Sequence, residues 1–176
     1  MKIIEGSLAG AIVNYKEQKG TRVTTDKVRK AVFDVLKGLV DLESTNVADL
    51  FCGSGMYGIE AASRGAESVT FVDESKMVIK QLKNNLKIFN FKFSILNISY
   101  EIFIKKSEKK FDLIFADPPY YQFDFGKLND IYRILNKNGI FILESSKRIK
   151  TGKLENLDLI VEKVYGDTRV MFFEKT

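Results

Sequence analysis

The sequence predicts a doubly wound α/β fold, in which a mostly parallel seven-stranded sheet ends in an antiparallel β-hairpin. Between residues 47 and 145, short apolar runs alternate with segments of helical periodicity, which is the pattern of successive βα units. Near the C-terminus, two strand-like runs flank the pair Gly166-Asp167, a turn typical of hairpins. Because ligands bind such sheets at the carboxyl ends of the parallel strands, we expect the functional residues at that edge.

The N-terminal part of the chain differs from the rest. Residues 1–20 contain short strand-like pieces with glycines, and we expect a small β arm. The next segment, TTDKVRKAVFDVLKGLV, has apolar residues at helical spacing, with Thr24, Thr25 or Asp26 as its cap. We therefore divide the chain into an arm, residues 1–20, and residues 21–176, which together form one structural domain.

The remaining elements follow from the alternation of apolar runs and helical patterns. Strands are predicted at 47–51, 68–73, 91–97, 111–117 and 140–145, with the hairpin strands at 157–165 and 168–175. Helices are predicted at 56–64, 75–90, 99–106 and 126–136. The run at 111–117 is continuously apolar, so this strand should be buried on both faces of the sheet.

The composition excludes several classes of function. The chain of 176 residues contains no histidine, which removes a histidine general base, the usual histidine-dependent nucleophiles and ordinary zinc sites, and we expect no metal. Its single cysteine, Cys52, cannot form an intrachain disulfide, which favours a cytoplasmic protein. No apolar run approaches the ~20 residues that span a bilayer, so we expect no membrane partner. The net charge of +5 suits a polyanionic partner such as nucleic acid.

A glycine-rich loop follows the first strand of the alternating region. Its pattern Gly53-x-Gly55-x-x-Gly58, with Asp73 twenty positions after Gly53, is the fingerprint of dinucleotide-binding proteins. Here, however, Asp49 stands just before the loop, and a carboxylate there suits a ligand with a cationic ammonium group better than a phosphate. Asp73 can accept both hydroxyls of a ribose. The loop therefore predicts a nucleoside cofactor, with a nicotinamide dinucleotide as one alternative.

A second motif, Asp117-Pro118-Pro119-Tyr120, comes directly after the buried strand. The two prolines fix the backbone and remove its N–H donors, which leaves carbonyl oxygens, a carboxylate and an aromatic ring. Such an acceptor-rich pocket with a stacking face can hold a planar group that carries N–H donors, such as the exocyclic amine of a base.

Residues 47–145 resemble class I S-adenosylmethionine-dependent methyltransferases, which have a Rossmann-like fold, and carry the [DN]PP[YF] signature of enzymes that methylate amino nitrogens. The whole chain resembles the RsmD family, which methylates guanine N2 in bacterial 16S ribosomal RNA. Four stretches carry the resemblance, at 21–33, 49–66, 117–120 and 165–168. The first and the last of these are more particular to the family than the glycine loop and the Asp-Pro-Pro-Tyr motif.

The resemblance implies S-adenosyl-L-methionine as the cofactor. Asp49 and the loop from Phe51 to Gly55 would face its methionine part, and Asn97 would contact its adenine, where the family usually has Asp. The full set of expected cofactor residues is Thr24, Asp49, Phe51, Cys52, Gly53, Ser54, Gly55, Gly58, Asp73, Glu74, Asn97 and Ile98. Cys52 has no catalytic role in this interpretation.

The resemblance also implies 16S rRNA as the partner, within the small ribosomal subunit or its assembly intermediate. The expected RNA-binding residues are Lys2, Lys16, Lys19, Arg22 and Tyr121. Two departures from the family concern this surface: Val23 replaces a proline after Arg22, and the segment after Gly10 lacks the arginines the family often has there. We expect a monomer.

The expected chemistry is direct methyl transfer. Asp117 and the Pro118 carbonyl would accept the two N–H bonds of the target amine, and Tyr120 would stack on the base. Three alternatives remain open. The same pocket could take adenine N6 in DNA or RNA, another RNA guanine or a glutamine amide; the glycine loop could hold a nicotinamide dinucleotide; or the protein could be an inactive cofactor-binding module in assembly.

Overall fold

The computed structural model describes residues 1–16, 24–119 and 123–175. Four α-helices are present in these ranges: α1, Asp26–Leu36; α2, Met56–Ser63; α3, Lys76–Leu86; and α4, Tyr100–Lys106. Seven strands accompany them: β1, Asn46–Leu50; β2, Ser68–Val72; β3, Phe93–Leu96; β4, Phe111–Ala116; β5, Leu135–Ser146; β6, Leu157–Tyr165; and β7, Thr168–Lys175. A 3₁₀ helix, Phe125–Ile134, precedes β5.

The seven strands form one sheet in the order β3-β2-β1-β4-β5-β7-β6. Strands β1 to β5 pair in parallel, whereas β7 is antiparallel to both β5 and β6. From β1 the sheet grows through β2 and β3 on one side, and the later strands are added from β4 on the other side. The strand order therefore reverses between the adjacent strands β1 and β4. This is the switch point at which open α/β sheets bind their ligands. The predicted fold class, including the terminal hairpin, is confirmed.

The sheet is covered on both faces. Helices α1, α2 and α3 pack on one face through apolar residues such as Phe33, Ile59 and Leu82. Helix α4 and the 3₁₀ helix pack on the other face through Phe103, Leu128 and their neighbours. All but one of the residues of β1, and all of β2, are buried, since each of these strands carries a layer on both sides.

Short polar side chains start three of the four α-helices. Thr25, Ser75 and Ser99 each accept a hydrogen bond from a backbone N–H three residues further on, which satisfies one free donor of the first turn. Helix α2 begins differently, at Gly55, which has a left-handed φ of 77° and no side chain to cap the helix. Its first turn is instead joined to β1 by Asp49, whose carboxylate accepts a hydrogen bond from the Gly58 N–H.

The prediction of a regular helix at 126–136 was wrong in type and at its end. The segment is a 3₁₀ helix whose buried residues are Phe125, Leu128, Ile131 and Ile134. Their spacing of three residues matches the three-residue turn of a 3₁₀ helix, so this helix type turns all four side chains toward the core. Leu135, which lies within the predicted helix, is instead the first residue of β5.

The arm, as far as residue 16, folds back on itself through one antiparallel bridge, Lys2 to Ile12. It is fixed to α2 by Glu60, whose carboxylate accepts hydrogen bonds from the backbone N–H groups of Ile4 and Glu5 at 2.9 and 3.0 Å. Buried Arg29 of α1 also contacts Glu60 and donates to the Lys2 carbonyl at 2.6 Å. The arm is thus part of the same packed unit. No helix within the described ranges has the length and hydropathy needed to cross a membrane.

Candidate active site

The carboxyl ends of β1, β2, β4 and β5 lie side by side and carry most of the residues predicted from the sequence. Leu50 at the end of β1 is in register with Ala116 at the end of β4 and with Val72 at the end of β2. Ala116 is in register with Leu143 of β5. The glycine loop, Asp73, Asp117 and Glu144 therefore start from neighbouring points on one edge.

The loop after β1 has a backbone that only glycines adopt readily. Phe51, Gly53 and Gly55 all have a positive φ, at 56°, 51° and 77°. The Gly55 N–H donates to the Cys52 carbonyl at 2.6 Å, which closes the turn. Among the described residues, a Cβ at Gly53 would meet only the Phe51 carbonyl at 3.7 Å and the Tyr15 hydroxyl at 3.9 Å, so these residues leave space above Gly53. A side chain at Gly55 would instead collide with Leu82 at 2.5 Å. Gly53 is thus the part of the loop that a ligand can approach.

Asp49 lies beneath this loop and is buried, with 3% of its surface exposed. Its Oδ2 accepts a hydrogen bond from the Gly58 N–H at 2.9 Å, so the side chain joins β1 to the first turn of α2. Burial, and secondarily the charge of Asp73, raise the pKa of Asp49 to about 8, against the effect of the Gly58 hydrogen bond. Asp49 therefore has a protonated carboxyl over much of the neutral range, and a nearby cation would favour its ionised form.

Asp73 follows β2 and closes the other side of the loop. Its two carboxylate oxygens accept hydrogen bonds from the backbone N–H groups of Gly53 at 3.2 Å and Ser75 at 2.8 Å. Burial is the main cause that raises the pKa of Asp73. The side chain of Asn97, from the end of β3, donates through Nδ2 to the carbonyls of Asp73 and Glu74 at 3.0 and 2.9 Å. Because Nδ2 makes both of these contacts, the amide oxygen of Asn97 points away from the Asp73 and Glu74 carbonyls.

The remaining residues predicted to bind the cofactor have mixed surroundings. Cys52 and Ser54 are buried within the loop. Burial, followed by the charges of Asp49 and Asp73, raises the pKa of the Cys52 thiol, which keeps it neutral. Glu74 is exposed and Ile98 is half-buried against the second core cluster. Gly58 lies inside α2, where a Cβ would be 2.4 Å from the Phe71 ring, so its role includes close helix packing.

An aromatic group surrounds Phe51, a predicted cofactor residue, and two of its members, Tyr100 and Phe123, were not predicted from the sequence. The ring centroid of Phe51 lies 4.6 Å from that of Tyr100 and 5.4 Å from that of Phe123. These residues follow the ends of β1, β3 and β4, and only this shared position at strand ends could have indicated that they meet. Together they make an apolar wall beside the glycine loop, of the kind that lines nucleoside pockets.

Asp117 has a close polar neighbour from a distant part of the chain. The Thr24 hydroxyl lies 2.9 Å from Asp117 Oδ2 and 3.1 Å from Glu144 Oε2. The Tyr57 hydroxyl donates to the same Glu144 oxygen at 2.9 Å. Glu144 is buried on β5 and was missed by the sequence analysis, because a single acid in an apolar strand gives no pattern. Thr24 is among the residues predicted to bind the cofactor; in the structure its hydroxyl lies beside Asp117, the carboxylate predicted to be catalytic.

Two further observations complete this part of the site. Pro118 is buried and Pro119 is exposed, so the turn after β4 has one anchored and one free proline. The Tyr57 ring stacks on Phe115 of β4, with centroids 4.8 Å apart and an angle of 13° between the rings. Tyr57 is therefore a packing residue that also orders Glu144. Tyr120 and Tyr121 lie outside the described residues.

The predicted RNA-binding residues of the arm are only partly covered by the structure. Lys2 and Lys16 are exposed, and the Lys16 backbone N–H donates to Gln81 of α3 at 2.9 Å. Lys19 and Arg22 lie outside the described residues. Among the residues that the structure does describe, no group of three or more His, Cys, Asp or Glu could hold a metal ion.

The donors and acceptors at this edge fit S-adenosylmethionine. The half-exposed Asp73 carboxylate lies beside the open space above Gly53, as a ribose would require. Asp49 could lie toward the cationic part of such a molecule and the aromatic wall toward its apolar surface. The Asn97 amide oxygen could accept a hydrogen bond from the adenine amine. Sheet order, glycine loop and Asp-Pro-Pro turn together define the class I methyltransferase fold that the sequence predicts.

Comparison with known proteins identifies the family. The family described as Conserved hypothetical protein 95 matches residues 1–174, and the chain belongs to it. The ribosomal RNA small subunit methyltransferase D of Buchnera aphidicola subsp. Acyrthosiphon pisum is 30% identical over 167 residues, which cover 92% of this chain and 86% of that protein. The predicted resemblance to the RsmD family is confirmed.

Solved structures agree on the fold. The yhhF protein of Escherichia coli superimposes with a TM-score of 0.86 and 25% identity, over 99% of this chain and 97% of that one. The protein SMU.776, whose structure holds SAH, superimposes with a TM-score of 0.68 and 17% identity over 84% of this chain and 48% of that one.

Proposed function

We propose that this protein transfers a methyl group from S-adenosylmethionine to the exocyclic N2 amine of a guanine in bacterial 16S ribosomal RNA. The observation that carries the proposal is the position of Asp117. Asp117 directly follows β4, and the glycine loop directly follows the neighbouring strand β1. The last residues of these two strands, Ala116 and Leu50, are register partners. The proposed acceptor of the amine N–H groups and the proposed nucleoside-binding loop therefore start side by side at the same edge of the sheet.

The cofactor would be held by residues of three strand ends. Asp73 would accept the ribose hydroxyls, the Asn97 amide oxygen would face the adenine amine, and Asp49 would lie toward the ammonium group. When bound, S-adenosylmethionine supplies an electrophilic methyl group. Binding of SAH by SMU.776, which has the same fold, is consistent with this assignment.

The residues of the chain act mainly by orientation. Asp117 and the carbonyl of Pro118 accept the two N–H bonds of the amine, which turns the nitrogen lone pair toward the methyl group. The Asp117 carboxylate also stabilises the positive charge that develops on the nitrogen. A positively charged, alkylated amine loses a proton readily, so no strong base is required. The chain has no histidine, and this chemistry does not use one.

The choice of 16S rRNA rests on three observations. The relative from Buchnera is named for the small ribosomal subunit RNA, and the family match covers nearly the whole chain. The net charge of +5 suits a polyanion. The chain is small relative to a folded ribosomal RNA, which favours an acceptor already presented by a subunit or its assembly intermediate.

The test is methyl transfer from labelled S-adenosylmethionine to small ribosomal subunits and to naked small-subunit RNA, both prepared without base methylation. Label found as N2-methylguanosine supports the proposal, and the better acceptor identifies the form of the substrate. Asp117→Ala should remove transfer, whereas the control Asp158→Ala, an exposed change on β6, should retain it. Transfer at another base or to no RNA would overturn the assignment of the substrate.

A further inference from the structure

A basic loop follows β5 and is not needed to explain cofactor binding or methyl transfer. It consists of residues 147–153 and contains Lys147, Arg148, Lys150 and Lys153, all exposed, with no acidic residue among them. We propose that this basic loop is the surface that binds the phosphate backbone of the acceptor RNA beside the target base. The inference rests on the proposed function, because RNA is the acceptor there.

The basic loop starts at the catalytic edge. β5 runs parallel to β4, and Ala116 and Leu143 are register partners. The next residues, Asp117 and Glu144, are joined through the Thr24 hydroxyl, so their carboxylates lie within hydrogen-bond reach of one group. Lys147 follows Glu144 by three residues, which corresponds to about 10 Å of extended chain. RNA that delivers a base to Asp117 must therefore pass close to the loop.

The structure holds this loop in place. The guanidinium group of Arg169 donates to the Ile149 carbonyl, and its Nε lies 3.4 Å from the Ser145 hydroxyl. Leu154, just beyond the loop, is buried, and Ile149 packs against the second core cluster. The cationic side chains thus project from an anchored backbone, which lowers the entropic cost of binding a partner.

The charge of the loop is only partly neutralised within the protein. Lys147 Nζ lies 3.3 Å from Asp167 and Arg148 lies 3.8 Å from the same carboxylate, and the side chains of Lys147, Arg148 and Asp167 are 46%, 78% and 55% exposed. Such exposed pairs contribute little and are easily exchanged for a phosphate. In the described parts of the chain, no ion pair involves Lys150 or Lys153. The loop therefore presents a net positive surface to an incoming polyanion.

A second group of lysines provides a matched control. Lys105, Lys106 and Lys110 are exposed; the first two end α4, and Lys110 directly precedes β4. Since Phe111 begins β4, this group lies at the amino edge of the sheet, opposite the site. Three exposed cations can be removed from each group, but of the two groups only the basic loop lies beside Asp117.

The experiment compares two triple variants. Arg148→Ala/Lys150→Ala/Lys153→Ala and Lys105→Ala/Lys106→Ala/Lys110→Ala each remove three charges. Binding to naked small-subunit RNA without base methylation is measured between 50 and 200 mM salt. For the loop variant we expect affinity about 10- to 100-fold lower at the lowest salt, and a log–log salt slope smaller by about 2. The control should stay within about 3-fold of the wild type.

Two further readouts separate binding from chemistry. The loop variant should keep its affinity for S-adenosylhomocysteine and its kcat at saturating RNA, while KM for RNA rises. Equal behaviour of the two variants would overturn the inference while leaving methyl transfer by the wild type untouched. Failure of the wild type to methylate RNA would instead overturn the proposed function, and the salt slopes would still decide whether RNA binds on the basic loop.

Discussion

The Thr24 hydroxyl lies 2.9 Å from Oδ2 of Asp117, although the two residues are 93 positions apart in the sequence. Thr24 directly precedes the cap of α1, and Asp117 directly follows β4. The start of a helix on one face of the sheet thereby restrains the carboxylate at its edge. A carboxylate held through one oxygen cannot rotate freely, so this contact restrains the direction in which the Asp117 carboxylate points.

Thr24→Val should lower kcat for methyl transfer by about 10- to 100-fold, because it removes the hydroxyl while keeping the shape of the side chain. Thr24→Ser keeps the hydroxyl and should remain within a few-fold of the wild type. Steady-state kinetics with saturating cofactor and RNA measure the effect. A Thr24→Val enzyme with normal kcat but much weaker cofactor binding would show that Thr24 serves the cofactor instead.

Glu144→Gln should also lower kcat, since Glu144 Oε2 accepts from the Tyr57 hydroxyl and lies 3.1 Å from the Thr24 hydroxyl. Because Glu144 reaches Asp117 through Thr24, adding Glu144→Gln to Thr24→Val should cause little further loss. The exposed Glu155→Gln serves as the control. Thermal melting checks the fold, and fully additive losses in the double variant would refute the coupling.

These same residues show which parts of the site can be predicted from the sequence. The glycine loop, Asp73 and the Asp117 turn were predictable, because each is a local pattern at a strand end. The bounds of β6 and β7 were also predictable, since a clear turn separates two alternating runs. Glu144 was not predictable, because its importance comes from contacts with residues 87 and 120 positions away.

Other misses have local causes. The 3₁₀ helix was read as an ordinary helix because apolar residues three apart satisfy both patterns over a short segment. Asp49 stays a predicted contact of the methionine part of the cofactor, and the structure adds its burial and its hydrogen bond from the Gly58 N–H. Sequence spacing places a residue at a strand end but does not give the depth at which its side chain lies.

Gly58→Ala should destabilise the protein by about 1–3 kcal/mol, because the added methyl would lie 2.4 Å from the Phe71 ring and 2.7 Å from Val69. Helix α2 would have to move away from β2, and the glycine loop with it. Gly38→Ala is the matched control, since the nearest atom that a Cβ there meets in the described residues is the Val35 carbonyl oxygen at 3.5 Å. Urea unfolding compares the two variants with the wild type, and equal stability of all three proteins would contradict the close packing.

Asp49→Asn should change how stability depends on pH. Burial first, then the charge of Asp73, raise the pKa of Asp49 to about 8 in the folded protein, whereas an aspartate in the unfolded chain has a pKa of about 3.9. Below both values Asp49 is protonated in both states, and its contribution to stability is fully present. Between them the folded protein holds a proton that the unfolded chain has lost. The free energy of unfolding therefore falls as pH rises through this window, by at most about 1.4 kcal/mol per pH unit.

The asparagine variant cannot lose this proton, and its amide oxygen can still accept the Gly58 hydrogen bond. Its stability relative to the wild type should therefore increase steadily from pH 5 to pH 8. Urea unfolding at each pH measures the difference, with Asp158→Asn, an exposed change on β6, as the control for loss of a carboxylate. A stability difference between Asp49→Asn and the wild type that does not change with pH would mean that Asp49 is already ionised in the folded protein. In that case Asp49 would present a full negative charge beneath the glycine loop throughout the neutral range.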